Sequence, residues 1–379
     1  MPDTAPRLGP LGRVIAAAQP YWARSVLPPE PRESFQVPAA DLLRLAGTLE
    51  GGICCLFPTH ARRDLPGLAA TLERWIGQLQ GASHALGIPV GVAVAVQYRT
   101  PPERAKAEGI AAALAALPHE GLAFVYPAVL NSCIKADSVN AGHAVSAAAG
   151  AAGTMWIDDD VVIEDCGVET LFRAFMDPAN GGKTAFGLAR RIVGTRTKVA
   201  KVLEARRSTK RAQQIPYGCC LLVREGAGVL PMPGHLSDDQ WASISQLVPG
   251  HSDPFARFCI VQESRVEYCL PETVVHNLSR MRRTYTNCFL ALATAPPAQG
   301  ELFMRQVFFG GLRRPASPGA WPRYLTSLAV RGVSWVVWAT YGTSLAVRGA
   351  INRPIRRPVW AVRDTYATPL SQQDRGSQT

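Results

Sequence analysis

Met155-Trp156-Ile157-Asp158-Asp159-Asp160-Val161-Val162-Ile163 sets three consecutive acids between two apolar, β-forming tripeptides. Like charges at the end of a strand repel one another and resist desolvation, so a cation is expected beside them. Ligands that are all oxygen suit Mg²⁺ or Mn²⁺, which keep several waters and share their sites with phosphates, rather than Zn²⁺. Side chains alternate along a strand, which lets Asp158 and Asp160 face one way and Asp159 the other. Taken alone, the same triplet is also what an exposed acidic turn looks like.

Working outward, short β-rich apolar runs alternate with helical patterns from Gly52 onward, the sign of an α/β fold with a largely parallel sheet. Strands are expected at Ile53 to Phe57, Val90 to Val96, Leu122 to Tyr126 and Gly153 to Ile157. Helices are expected at Pro66 to Leu86, Pro101 to Ala116 and Lys135 to Gly150, the last built from small residues that allow close packing. In open α/β sheets ligands collect beyond the carboxyl ends of the strands, which is where the triplet falls.

The chain has 379 residues, a formal charge of +11 and nine cysteines. The positive charge favours anionic partners such as a nucleotide or a phospholipid surface. No zinc-finger, basic-zipper or RNP signature accompanies it, which argues against nucleic acid. The odd cysteine count, with pairs such as Cys54-Cys55 inside apolar runs and no Cys-x-x-Cys, reads as reduced core thiols in a cytoplasmic protein. Arg190, Arg191, Arg196, Lys198, Lys201, Arg206, Arg207, Lys210 and Arg211 crowd one segment, either as a solvated helix face or as a basic flap over an anionic substrate.

Four patterns follow one another in order. They are Phe57-Pro58-Thr59-His60-Ala61-Arg62-Arg63 after the first strand, Lys135-Ala136-Asp137-Ser138-Val139-Asn140-Ala141-Gly142, the acid triplet, and Leu236-Ser237-Asp238-Asp239-Gln240-Trp241. Together they resemble a family-2-type inverting glycosyltransferase with the GT-A fold, a Rossmann-like nucleotide-binding sheet. They correspond to its Pro-Thr-x-Asn-Arg loop, its Lys-x-x-x-x-Asn-x-Gly segment, its Asp-x-Asp motif and its acid pair. A fifth stretch, Ser279-Arg280-Met281-Arg282-Arg283-Thr284, falls where processive members have Gln-x-x-Arg-Trp and matches only at Arg283.

The resemblance implies a nucleoside diphosphate sugar donor and a hydroxyl acceptor on a glycan, a lipid-linked glycan or a small molecule. It implies donor binding by Pro58, Thr59, Arg62, Lys135, Asn140, Asp158, Asp159, Arg280, Arg282 and Arg283, and Mg²⁺ or Mn²⁺ on Asp158 and Asp160. Asp239 is the implied general base. The chemistry stands on its own terms: a diphosphate leaving group needs cations, and an inverting displacement needs one base to take the acceptor proton. Asp238 and Asp239 also read as a plain helix N-terminal pair. His60, His143 and His235 are isolated and read as structural or solvent-facing.

Two rival functions can be compared with this one. A sugar-phosphate nucleotidylyltransferase wants a Gly-rich phosphate loop straight after the first strand, and Pro58-Thr59-His60-Ala61 is not one. A non-catalytic scaffold or polyanion-binding protein on a transferase-like fold has no need for Asp158, Asp160 and Asp239.

The expected organisation is an N-terminal arm over 1–50, a GT-A domain over 51–290, a C-terminal helical region over 291–368 and a disordered tail over 369–379. The arm is expected to be loosely ordered. In the C-terminal region Trp321 to Arg353 carries Trp335, Trp338 and Tyr341, with sixteen uncharged residues between Arg331 and Arg348, short of the roughly 20 a spanning helix needs. It reads either as an interfacial helix on an anionic cytoplasmic membrane face or as a helix pair docked on the catalytic core.

Overall fold

Apolar residues fill Ile53–His60 and Val90–Tyr98 almost without interruption, the composition of strands buried on both faces of a parallel sheet. The computed structural model describes residues 8–28, 30–193, 214–216, 218–233, 236–269, 274–308, 310 and 317–356. The chain begins with α1 (Pro10–Ser25), β1 (Val26–Leu27) and α2 (Ala39–Leu45). It continues through β2 (Ile53–His60), α3 (Leu65–Leu86), β3 (Val90–Tyr98), α4 (Pro101–Ala115), β4 (Phe124–Asn131), α5 (Lys135–Ala149) and β5 (Gly153–Ile157). Next come β6 (Val161–Ile163), α6 (Gly167–Met176), β7 (Ala185–Val193), β8 (Cys220–Arg224), α7 (Asp238–Ser245) and β9 (Phe258–Cys269). Then follow α8 (Val274–Thr294), α9 (Pro297–Leu302), α10 (Trp321–Ala350) and β10 (Ile355–Arg356).

Eight strands form one sheet in the order β4-β3-β2-β5-β8-β7-β9-β6, and β2 to β5 are parallel. The mixed α/β architecture expected from the sequence is therefore present. From β2 the chain winds through β3 to β4 on one side, then returns to place β5 on the other side of β2. The crevice between the carboxyl ends of β2 and β5 is a topological switch point, the place where such sheets bind ligands. Alternation along β2 sends Cys54 and Leu56 into one half of the core and Ile53, Cys55 and Phe57 into the other. On the first face lies α5, whose small residues permit close approach. A Cβ on Gly142 would meet Leu56 Cδ1 at 2.8 Å.

The N-terminal segment departs from the loosely ordered arm expected. Leu11, Ile15, Ala18 and Trp22 lie three or four residues apart and form one apolar stripe of α1, with Ile15 and Trp22 buried. Gln19 Nε2 donates to the carbonyls of Leu292 (2.6 Å) and Ala295 (2.7 Å), so α1 is tied to α8.

The C-terminal segment is one helix of 30 residues, α10, rather than a pair. Its inner face docks on the core. Phe289 stacks on Trp338 at 5.0 Å and meets Trp22 in a tilted contact at 4.8 Å, and Trp22 Nε1 donates to Gly342 O at 2.9 Å. No helix among the described residues is long and apolar enough to cross a membrane. The basic residues from Arg196 to Arg211, His235 and the tail from residue 357 onward lie outside the described residues.

Because Trp338 is buried against both Phe289 and Trp22, Trp338→Ala is expected to destabilise the whole protein by about 3 to 5 kcal/mol through an unfilled cavity. Urea unfolding followed by far-UV circular dichroism measures this, and a loss confined to α10 would show that the helix is a separate unit.

Candidate active site

The acids of the triplet lie in the turn that joins β5 to β6. Each finds a different environment. Asp159 turns toward the end of β2, where Arg63 grips it with two hydrogen bonds, Nη2 to Oδ1 at 2.7 Å and Nε to Oδ2 at 3.1 Å. Thr59 Oγ1 donates to the same carboxylate at 2.8 Å. The Asp159 side chain is 1% exposed, so this is a buried, fully paired ion pair across the switch point. The Asp159 contact expected with the donor is thus taken by protein groups, and Thr59 orients Asp159 rather than standing free.

Asp158 faces the opposite way, toward the first residue of α5. Lys135 ion-pairs with Asp158 and with Asp238, and its Nζ donates to Gly218 O at 2.8 Å. The ammonium thus donates to one carbonyl and lies within ion-pair reach of two carboxylates. Lys135 was expected on the donor's phosphates, but it joins the triplet to the start of α7 and to the segment entering β8. Asp238 also accepts from Trp156 Nε1 at 3.0 Å. Gly218 has to be a glycine in this arrangement, since a Cβ there would stand 2.6 Å from Asp238 Oδ2 and 2.9 Å from Asp239 Cβ.

Asp239 begins α7 beside this cluster. Its Oδ1 accepts from Ser237 Oγ at 2.6 Å, and its backbone carbonyl receives Ser243 Oγ at 2.5 Å. Burial and the neighbouring Asp238 charge hold its carboxyl above the usual range. Asp160 is likewise pushed up by burial and by Asp159, against the pull of Arg63 and Lys135. Asp158 is pushed up to about 7, first by burial, although Lys135 works in the other direction. Lys135 stays firmly protonated because two carboxylates outweigh its burial. The physical picture is consistent. Asp158, Asp159, Asp160, Asp238 and Asp239 share a small volume, and among the described residues two cations ion-pair with them, Arg63 and Lys135. Among the described residues the cluster therefore carries more negative than positive charge, which favours protons or a further cation.

Other expected site residues are elsewhere. Arg62 Nε reaches Glu103 at 2.7 Å and is half exposed, while Arg63, its neighbour, does the work at the triplet. Asn140 uses both ends of its amide on Met232, donating to the carbonyl at 2.9 Å and accepting from the amide N–H at 2.7 Å, so it clamps a loop. Pro58 is buried within β2. Arg280, Arg282 and Arg283 sit on the early turns of α8, with Arg282 exposed. That helix meets α7 where Gln240 Nε2 donates to Thr284 O at 3.1 Å. His60 is buried and neutral, lowered to about 4 first by burial, and its Nδ1 accepts from Arg62 N. Arg63 and Asp238 stand inside the sequence motifs but were not among the residues expected to bind donor or metal. The clue to Arg63 was alternation itself, since the middle acid of the triplet had to find its own cation on the β2 side.

For a divalent metal, the residues that fit are Asp160, which has no protein cation as a direct partner among the described residues, and Asp158, which shares Lys135 with Asp238. All the ligands would be oxygens, a set that suits Mg²⁺ or Mn²⁺ completed by water and phosphate. No group of three or more metal-binding side chains occurs among the described residues.

No protein-family model matches the chain, and no curated protein matches it in sequence. Among solved structures, glucosyl-3-phosphoglycerate synthase from Mycobacterium tuberculosis, in complex with phosphoglyceric acid, is similar over 69% of this chain and 88% of that chain, with 15% identity and a TM-score of 0.37.

Two outcomes follow from the charges. Arg63→Ala leaves Asp159 buried without its partner and is expected to cost about 3 kcal/mol or more, part of which returns in Arg63→Ala with Asp159→Asn. Urea titrations of the single and double variants measure the difference. A carboxyl raised above its ordinary value binds its proton more tightly in the folded state, so stability falls as pH rises from about 4 to about 7 through Asp158. Asp158→Asn should flatten that part of the profile, which unfolding measured across the same pH range would reveal.

Proposed function

We propose that the chain is a metal-dependent, inverting glycosyltransferase that moves a sugar from a nucleoside diphosphate donor to an acceptor hydroxyl. One observation supports this reading: a buried, acid-rich cluster that outnumbers its cation partners among the described residues lies at the switch point of a doubly wound sheet. Such a site attracts a divalent ion together with a phosphate-bearing ligand.

In this reading Asp160, with Asp158, holds Mg²⁺ or Mn²⁺, whose chemical contribution when bound is to neutralise charge on the departing diphosphate. Asp239 is the general base. Burial and the Asp238 charge raise its pKa, which makes it a stronger base than an ordinary carboxylate. The acceptor oxygen forms its bond to the anomeric carbon, the bond from that carbon to the diphosphate oxygen breaks, and the acceptor's proton passes to an Asp239 carboxylate oxygen. Ser237 orients that carboxylate, and Lys135 positions Asp158 and Asp238 so that the acid triplet and the start of α7 hold a constant separation.

The reading is tested by thermal unfolding with UDP, GDP, CDP and dTDP, each with Mn²⁺ and with chelator, since a ligand bound by the native state alone raises apparent stability. One nucleotide should stabilise the protein only with metal, and Asp160→Ala should abolish that effect. Stabilisation by none of them, or equally by all without metal, favours a non-catalytic scaffold. Once an acceptor is known, Asp239→Asn should keep donor binding and lower turnover by about 10²-fold or more. Near-normal turnover would reduce Asp239 to a helix N-terminal residue.

A further inference from the structure

We infer that the outer face of α10 is a docking surface for an anionic lipid bilayer. The inner face of this helix is accounted for by Trp338, Gly342 and Leu345, which are buried against the core. On the other side Leu325, Leu328, Val333, Val336 and Val347 are all exposed, with Val333 at 64% and Val336 at 66%. They recur at spacings that place them on one stripe of the helix, and the exposed residues between Gly332 and Val347 carry no charge. The apolar part runs from Leu325 to Val337, and the uncharged Thr340 and Thr343 continue the same face to Val347 along a helix about 45 Å long.

The charge pattern selects the occupant. From Leu302 to Arg363 the chain contains ten arginines and no acidic residue. Arg348, Arg353 and Arg356 are exposed at the carboxyl end of α10. Arg24 joins them there, because Val26 pairs with Ile355. At the amino end Trp321 and Tyr324 pack edge to face at 5.6 Å, aromatic rings of the kind that settle at headgroup level. An apolar stripe that ends in cations meets acyl chains and anionic headgroups together. A second copy of the chain is a poor occupant, because two such helices side by side bring arginines to arginines with no carboxylate on either helix to receive them. The helix lies along the surface and does not cross it.

The test is co-sedimentation of the full chain with vesicles of phosphatidylcholine alone and of phosphatidylcholine with phosphatidylglycerol, at low and high salt, beside light scattering of the protein alone. Binding is expected to the anionic vesicles, weakened by salt. Val333→Glu with Val336→Glu should lower it by about tenfold or more while leaving the thermal midpoint near that of the unchanged chain, because both side chains already face solvent. Arg348→Glu with Arg353→Glu should remove the preference for anionic lipid. Absence of binding to either vesicle, equal binding to both, or a dimer that the paired valine substitutions convert to monomer would each overturn the inference.

Discussion

The buried ion pair between Arg63 and Asp159 is the constraint on which the site depends. It joins the segment leaving β2 to the turn leaving β5, the two strand ends that bound the switch point. A buried pair of this kind is worth little against an apolar substitute, but once present it has a single satisfactory geometry. With the central acid fixed by two guanidinium hydrogen bonds and a threonine hydroxyl, its neighbours cannot rotate freely. Asp158 is sent toward α5 and Asp160 is left in the crevice without a direct protein cation among the described residues.

Lys135 performs the second joining. Its single ammonium bonds to the triplet, to the start of α7 and to the carbonyl of Gly218, three segments far apart in the chain. Arg63 and Lys135 are therefore both framework cations, which hold carboxylates in place. The distinction matters for chemistry, because the charge a substrate meets is what remains after the framework is satisfied. Among the described residues, what remains is acidic.

Much of this was legible in the chain. The strands from Ile53 to Ile157 could be read because a doubly buried strand must be apolar throughout, and the triplet could be placed because its charges cannot enter that layer. Asp238 and Asp239 were legible as a pair for the same reason that they begin α7, where free N–H groups favour acids. Partner choice was not legible. Arg62 and Arg63 are adjacent and chemically identical, and only the direction in which the chain leaves β2 sends one to Glu103 and the other to Asp159. Asn140 belongs to a run that reads as a binding motif, yet its position on α5 puts it against the backbone of Met232. The stripe Leu11, Ile15, Ala18 and Trp22 was present in the sequence, but prolines and arginines around it suggested disorder, and the partner that gives it stability, α8, lies over 250 residues away.

The narrow gap between α5 and β2 has a consequence for how this sequence can vary. Where Gly142 meets Leu56, the helix rides on the strand at a spacing that one added methyl group would widen. Lys135 begins that same helix, so its ammonium moves with the helix as a rigid body. Substitutions along the seam, remote from any carboxylate, therefore act on the site by translation, and a chain drifting under selection for activity should keep Ala, Ser or Gly along that seam as strictly as it keeps the acids. A designer wishing to shift the cluster without touching a charge has a mechanical handle there.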